Sequence, residues 1–206
     1  TPVADMVGDP AAVLRLLSHL AAGLEHAHGR GILHLDIKPG NVLLADTGEP
    51  MLLDFNLSAD AAEADRELIG GTVPYMAPEQ LQDMRTRGRG AIDRRTDLYG
   101  LGIVAYELLA GRTPFAGSTA TLALFDALIA VRKKGPPPLR PANPGVTPAT
   151  EAIVRKLLAP EPQDRYQTAA ELKEDVDRQL ADRPLRHAAN PSVRERAGKW
   201  WRRHPG

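Results

Sequence analysis

Cysteine is absent from the 206 residues, which excludes a disulfide framework, a thiolate nucleophile and a Cys-based zinc site. The six histidines are scattered without metal-ligand spacing and do not replace it. Net charge is absent as well: 26 Lys and Arg balance 26 Asp and Glu. No overall field therefore draws in nucleic acid, which is not expected as a partner. No apolar run approaches the ~20 residues needed to span a bilayer. No charged-then-apolar signal region follows Thr1-Pro2, and there is no initiator Met. The chain is expected to be a piece of a longer polypeptide. A cysteine-free chain is compatible with a reducing compartment, and a cytoplasmic location is expected.

What is present suits one well-cored domain, with 43% hydrophobic and 25% charged residues. The charge is unevenly spread. From Arg183 onward, Arg183, Arg186, Arg194, Arg196, Lys199, Arg202 and Arg203 stand against Glu195 alone, so the tail is basic and the body acidic. Asp9-Pro10 reads as an N-cap followed by proline at the first helical position. Val13, Leu16, Leu17, Leu20, Leu24 and Ala27 then mark one buried helix face, closed by Gly29 and Gly31. Val42–Leu44 and Met51–Leu53 predict a small β-hairpin. Residues 58–71 are polar, acidic and aperiodic, and predict a functional loop. Leu98–Leu109 is apolar on nearly every side, the pattern of a central helix. Further helices are predicted over 118–133, from Thr147-Pro148 to about Leu158, and after the capping-box pattern Thr168-Ala169-Ala170-Glu171.

The densest chemistry lies in His34-Leu35-Asp36-Ile37-Lys38-Pro39-Gly40-Asn41, followed by the hairpin and Asp54-Phe55-Asn56. Phosphoryl transfer needs a carboxylate to orient and deprotonate the attacking hydroxyl, metal ions to neutralise phosphate charge, and a nearby cation. Asp36 supplies the first, Asn41 and Asp54 are hard oxygen ligands for Mg²⁺, and Lys38 is the cation. A tight hairpin would return Asp54 to Asn41.

These residues resemble the H-R-D-x-x-x-x-N and D-F-G motifs of the protein kinase family. Gly71-Thr72-Val73-Pro74-Tyr75-Met76-Ala77-Pro78-Glu79 is similar to that family's substrate-facing loop. Asp97-Leu98-Tyr99-Gly100-Leu101-Gly102 is similar to the start of its central helix, and Pro162-Gln163-Asp164-Arg165-Tyr166 to the segment whose Arg pairs with the loop's Glu. The motifs occur in family order across roughly residues 10–181. The resemblance implies the large lobe of the kinase fold, an α+β and mainly α unit over residues 1–182 with a hairpin at the site, and a separate tail over 183–206. It implies Mg²⁺-dependent transfer of the ATP γ-phosphate to protein Ser or Thr hydroxyls. Asp36 would be the base, Lys38 would contact the transferring phosphate, and Asn41 and Asp54 would hold Mg²⁺. Thr72 would help lock Asp36 and Lys38 beside the acceptor. Lys38 is similar to the serine/threonine branch, since tyrosine kinases usually carry Ala-Ala-Arg or Arg-Ala-Ala there. His34 and Phe55 would pack the site, and Asp97 would accept N–H groups of the catalytic loop. Glu79 and Arg165 would form a buried ion pair, whose breaking typically costs ~3–5 kcal/mol. His19, His26 and His28 need no role beyond packing or surface.

Three departures qualify the resemblance. Leu35 replaces the Arg that pairs with a phosphorylated activation loop, so little dependence on loop phosphorylation is expected. Asn56 replaces a glycine and is expected to be tolerated, because Asn enters the left-handed region readily. No Gly-rich loop, Val-Ala-Ile-Lys-like strand or partner Glu occurs, so the ATP-covering lobe is expected from upstream of Thr1 and the chain alone should be inactive. The rival expectation is a pseudokinase-like or truncated lobe serving as a binding scaffold. For the Trp200-Trp201 tail two readings stand open: a segment at the cytoplasmic face of an anionic membrane, with a membrane span following Gly206, or a solvated helix whose tryptophans pack back on the lobe.

Overall fold

The computed structural model describes residues 7–45, 48–55, 73–86, 88, 92–115, 122–190 and 192–203, with side chains of 122–124 excepted. The expected loop at 58–71, Asn56, Thr72 and the helix start at 118–121 lie outside the described residues.

Helix α1 (Pro10–His28) begins where Asp9 Oδ1 accepts the N–H groups of Ala11 and Ala12 at 2.9 and 3.2 Å. Its face of Val13, Leu16, Leu17, Leu20 and Leu24 is buried. Strands β1 (Val42–Leu44) and β2 (Pro50–Leu52) pair antiparallel, Val42 with Leu52 and Leu44 with Pro50. β2 thus starts one residue before the expected Met51, since Pro50, lacking an N–H, is tolerated at the end of a two-stranded edge.

Helix α2 (Pro78–Thr86) was not expected: its polar sequence has no apolar period, and it begins from Pro78 at N1. Helix α3 (Arg94–Ala110) is the central one and starts four residues before the apolar run. Asp93 and Thr96 form a reciprocal capping box around its charged first turn. Gly111 at φ 71° closes it in the left-handed conformation that glycine adopts without steric cost. Helix α4 (Leu122–Lys133), α5 (Pro148–Leu157) and α6 (Ala169–Leu180) follow the expected segments. At α6, Thr168 Oγ1 accepts Glu171 N–H, but the Glu171 carboxylate caps Gln167 N–H rather than Thr168 N–H.

α6 lies along α1, α3 packs on α1 and α5, and α2 packs on α4. One large core surrounds α3. A second cluster joins Val73, Met76 and Leu81 to Phe125, Leu128 and Ile129 of α4. The first core holds the segment from Ile37 to Val42, and the second holds Val73 and Met76 of the segment that leads into α2.

The basic tail forms helix α7 (Val193–Arg203), docked by its polar residues. Glu195 Oε2 accepts Ala149 N–H at 2.8 Å, buried Lys199 donates to Gln179 Oε1, and Arg202 grips Asp182 at 3.0 and 2.6 Å. The tail therefore packs back on the lobe, held chiefly by these polar contacts. Trp200 and Trp201 are 51% and 68% exposed and meet edge to face at 5.7 Å.

Candidate active site

After α1 the chain turns at Gly31 and runs without regular secondary structure, through a left-handed Leu35, to a 3₁₀ turn at Pro39–Asn41. The Asp97 carboxylate, 1% exposed in the first turn of α3, organises this stretch. Its Oδ2 accepts His34 N–H at 2.9 Å and its Oδ1 accepts Leu35 N–H at 2.7 Å. His28 Nε2 donates to the same Oδ2 at 2.8 Å. A buried carboxylate is tolerated only when hydrogen-bonded, and three donors meet that need. His28 is thus part of the site's support, which the sequence reading did not assign to it.

His34 is fully buried. Asp36 N–H donates to its Nδ1 at 3.3 Å, which places the ring proton on Nε2, facing Leu53 O at 2.9 Å. The ring of Phe55 lies 4.7 Å from that of His34. This joins the segment carrying Asp36 to the segment carrying Asp54.

At the centre, Asp36 Oδ2 accepts from Lys38 Nζ at 2.8 Å and from Asn41 Nδ2 at 3.0 Å. Asn41 Nδ2 also donates to Asp36 O at 2.9 Å. Asp36 Oδ1 has no hydrogen-bond partner among the described residues. Leu53 N–H donates to Asn41 O at 2.9 Å, so the hairpin sets Asp54 beside Asn41. Asp54 is exposed and held at φ 54°, a left-handed conformation that Asp tolerates better than most residues. The arrangement brings the Asp36 carboxylate, the Lys38 ammonium and the Asn41 amide together, with Asp54 following the residue that bonds to Asn41 O.

The facing loop begins with a 3₁₀ turn at Val73–Tyr75 and leads into α2. Glu79 and Arg165 meet in a two-bond fork at 2.6 and 2.8 Å, with Thr96 Oγ1 donating to Glu79 Oε1 at 2.9 Å. Arg165 also stacks 4.7 Å over the ring of Tyr99 and donates to the carbonyls of Ala159, Pro160 and Arg95. Tyr75 Oη donates to Glu107 at 2.9 Å; burial, then Glu107, push its pKa well up, so it stays protonated.

Two anchors of this loop escaped the sequence reading. Arg132 of α4, fully buried, donates to the carbonyls of Val73, Pro74 and Met76 at 2.9, 3.3 and 2.9 Å. Burial lowers its pKa. Gln80 Nε2 donates to Leu35 O at 2.9 Å. Their partners are backbone carbonyls, which leave no mark in a sequence.

A loop clamped by a central-helix carboxylate, a hairpin returning an Asp to an Asn, and a Glu–Arg pair beneath the facing loop define the large lobe of a protein kinase. The chain belongs to the protein kinase family, whose description "Protein kinase domain" matches residues 5–176. It is 38% identical over 192 residues to serine/threonine-protein kinase Pkn1 of Myxococcus xanthus, covering 88% of this chain and 26% of that protein. It is 33% identical over 174 residues to serine/threonine-protein kinase PknB of Mycolicibacterium smegmatis, covering 82% and 26%. It is 36% identical over 171 residues to serine/threonine-protein kinase PknL of Mycobacterium tuberculosis, covering 82% and 40%. The chain thus spans about a quarter to two fifths of the length of these relatives.

Proposed function

We propose that this chain is the catalytic and substrate-binding lobe of a serine/threonine protein kinase that transfers the γ-phosphate of ATP to protein hydroxyls. The observation that carries the reading is the convergence of Lys38 Nζ and Asn41 Nδ2 on Asp36 Oδ2, at 2.8 and 3.0 Å, with Oδ1 buried and without a partner among the described residues. Asp36 orients the acceptor hydroxyl and takes its proton as the hydroxyl oxygen bonds to the γ-phosphorus. The bond from that phosphorus to the bridging oxygen breaks, and ADP leaves with the electron pair. Lys38 offsets the developing negative charge.

The donor set fits Mg²⁺. Asn41 spends its Nδ2 on Asp36, which leaves Oδ1 for a cation. Asp54 adds a carboxylate, and among the described residues no group of three or more His, Cys, Asp or Glu competes for a softer metal. One or two protein oxygens plus substrate phosphates is the usual Mg²⁺ arrangement. When bound, the ion neutralises and orients the phosphates.

Completion requires a second, ATP-covering lobe. An open hollow of about 580 Å³ between α1 and the hairpin, lined by Leu20, Ala27, Ile32, Pro50, Met51 and Leu52, supports a seat for it. Without that lobe the chain binds nucleotide weakly and does not turn over. The test uses the longest native form of the protein. Asp36→Asn is expected to lower transfer about 10²–10⁴-fold while ATP binding persists. Acid hydrolysis of the product should give phosphoserine or phosphothreonine; phosphotyrosine, or an unaffected Asp36→Asn, would contradict the reading.

The tail supports a proposal about location. Among the described residues no helix is long and apolar enough to cross a membrane. α7 leaves much of Trp200 and Trp201 accessible, with Arg194, Arg196 and Arg203 exposed on the same short helix. Aromatic rings flanked by cations suit an anionic lipid surface. Phosphatidylserine vesicles should co-sediment with this chain, and Trp200→Ala with Trp201→Ala should abolish it. Equal retention on neutral vesicles, or none on either, rejects the proposal.

A further inference from the structure

Leu35 immediately precedes Asp36 and sits at φ 61°. A left-handed conformation is unfavourable for a leucine and persists only where its surroundings over-determine it. Here both backbone polar groups of Leu35 are held by side chains from other elements. Asp97 Oδ1 accepts its N–H at 2.7 Å, and Gln80 Nε2 donates to its carbonyl at 2.9 Å.

The other end of the Gln80 amide is also used. Its Oε1 accepts Ala77 N–H at 3.0 Å, the backbone donor that closes the facing loop and opens α2. One half-buried side chain therefore links the peptide carrying Asp36 to the loop expected to carry the substrate. The link needs an acceptor at one end and a donor at the other. Only an amide of this length supplies both; a glutamate would set oxygen against oxygen at Leu35.

We infer that Gln80 is a positioning residue, which couples the facing loop to the catalytic loop without a phosphate. The inference rests on the kinase reading above. Leu35 carries no charge for a phosphate to pair with, whereas the Gln80 bridge is neutral, built into α2 and present without modification. Gln80 acts through Leu35 on the orientation of Asp36; it does not touch the reacting atoms.

The test compares wild type with Gln80→Glu in the longest native form. Glutamate retains the acceptor for Ala77 N–H and suits the first turn of a helix, so α2 keeps its cap. At Leu35 O it replaces the donor with a charged oxygen that repels the carbonyl. The expected result is a kcat about tenfold lower, equivalent to about 1.4 kcal/mol of barrier, with KM for ATP and the melting temperature little changed. Leu35→Gly provides the second arm, because glycine adopts positive φ without the steric penalty. In that background Gln80→Glu should lower kcat twofold or less. An equal loss in both backgrounds, or no loss in either, overturns the inference. Should Gln80→Glu unfold, Gln80→Met removes both polar ends without introducing repulsion and is held to the same two criteria. If wild type transfers no phosphate, the enzyme reading fails separately. Amide exchange over residues 33–38 then decides the bridge: at least tenfold faster exchange in the variant supports it, and unchanged exchange overturns it.

Discussion

Leu35 touches its neighbours through its backbone: Asp97 takes the N–H and Gln80 reaches the carbonyl. Its aliphatic side chain provides no cation for a phosphorylated loop. Phosphatase treatment of the active protein is therefore expected to leave at least half of its transfer rate, measured on an added peptide substrate. Loss of most of the activity would show that another cation takes the phosphate. Asp36, Lys38 and Asn41 were legible in sequence because they lie within six residues and bond to one another. Asp97, Glu79 and Arg165 were legible only through the order of the family motifs, since the bonds that join the motifs span 17 to 86 positions. His28, Gln80 and Arg132 were not legible. Each acts across the fold, and the last two bond to carbonyls that every residue type carries.

Helices whose signals were local were read with little error. α1 has an Asp-Pro start and a clean buried stripe, and α3 is apolar on nearly every side. α2 escaped because its polar sequence carries no apolar period, and because its first turn is fixed by long-range bonds from Glu79 and Gln80. The tail helix could not be placed from composition, because it buries lysine and exposes tryptophan, the reverse of the usual pattern. Close packing between elements also leaves a testable mark. A Cβ on Gly102 of α3 would lie 2.8 Å from Leu157 Cβ and 2.9 Å from Leu158 Cδ2. Leu157 Cβ is fixed to its backbone and cannot swing aside. Gly102→Val should lower unfolding stability by about 1–3 kcal/mol through overpacking. On α1 the same addition at Gly23 would meet nothing within 4 Å. Gly23→Ala should stabilise by about 0.5–1 kcal/mol through helix propensity. Urea unfolding of both variants reads the two signs, and a stabilised Gly102→Val would refute the packing account.

At the scale of the whole molecule, a net charge of zero conceals an acidic body and a basic tail whose Arg202 and Lys199 are spent largely on docking α7. The chain covers a quarter to two fifths of its curated relatives, and its apolar hollow beside the hairpin is open. Under the proposed function, these features belong to a lobe that carries the phosphoryl-transfer groups and depends on a second lobe to bring ATP. The most direct measurement is label transfer from radiolabelled ATP to a protein substrate with Mg²⁺, run in parallel on three proteins. These are the longest native form, the same form carrying Asp36→Asn, and residues 1–206 alone. The account predicts transfer by the first, at least about a hundredfold less by the second, and none above background by the third. A native form that binds ATP yet transfers no label, or an Asp36→Asn form as active as wild type, would contradict it and favour a binding scaffold.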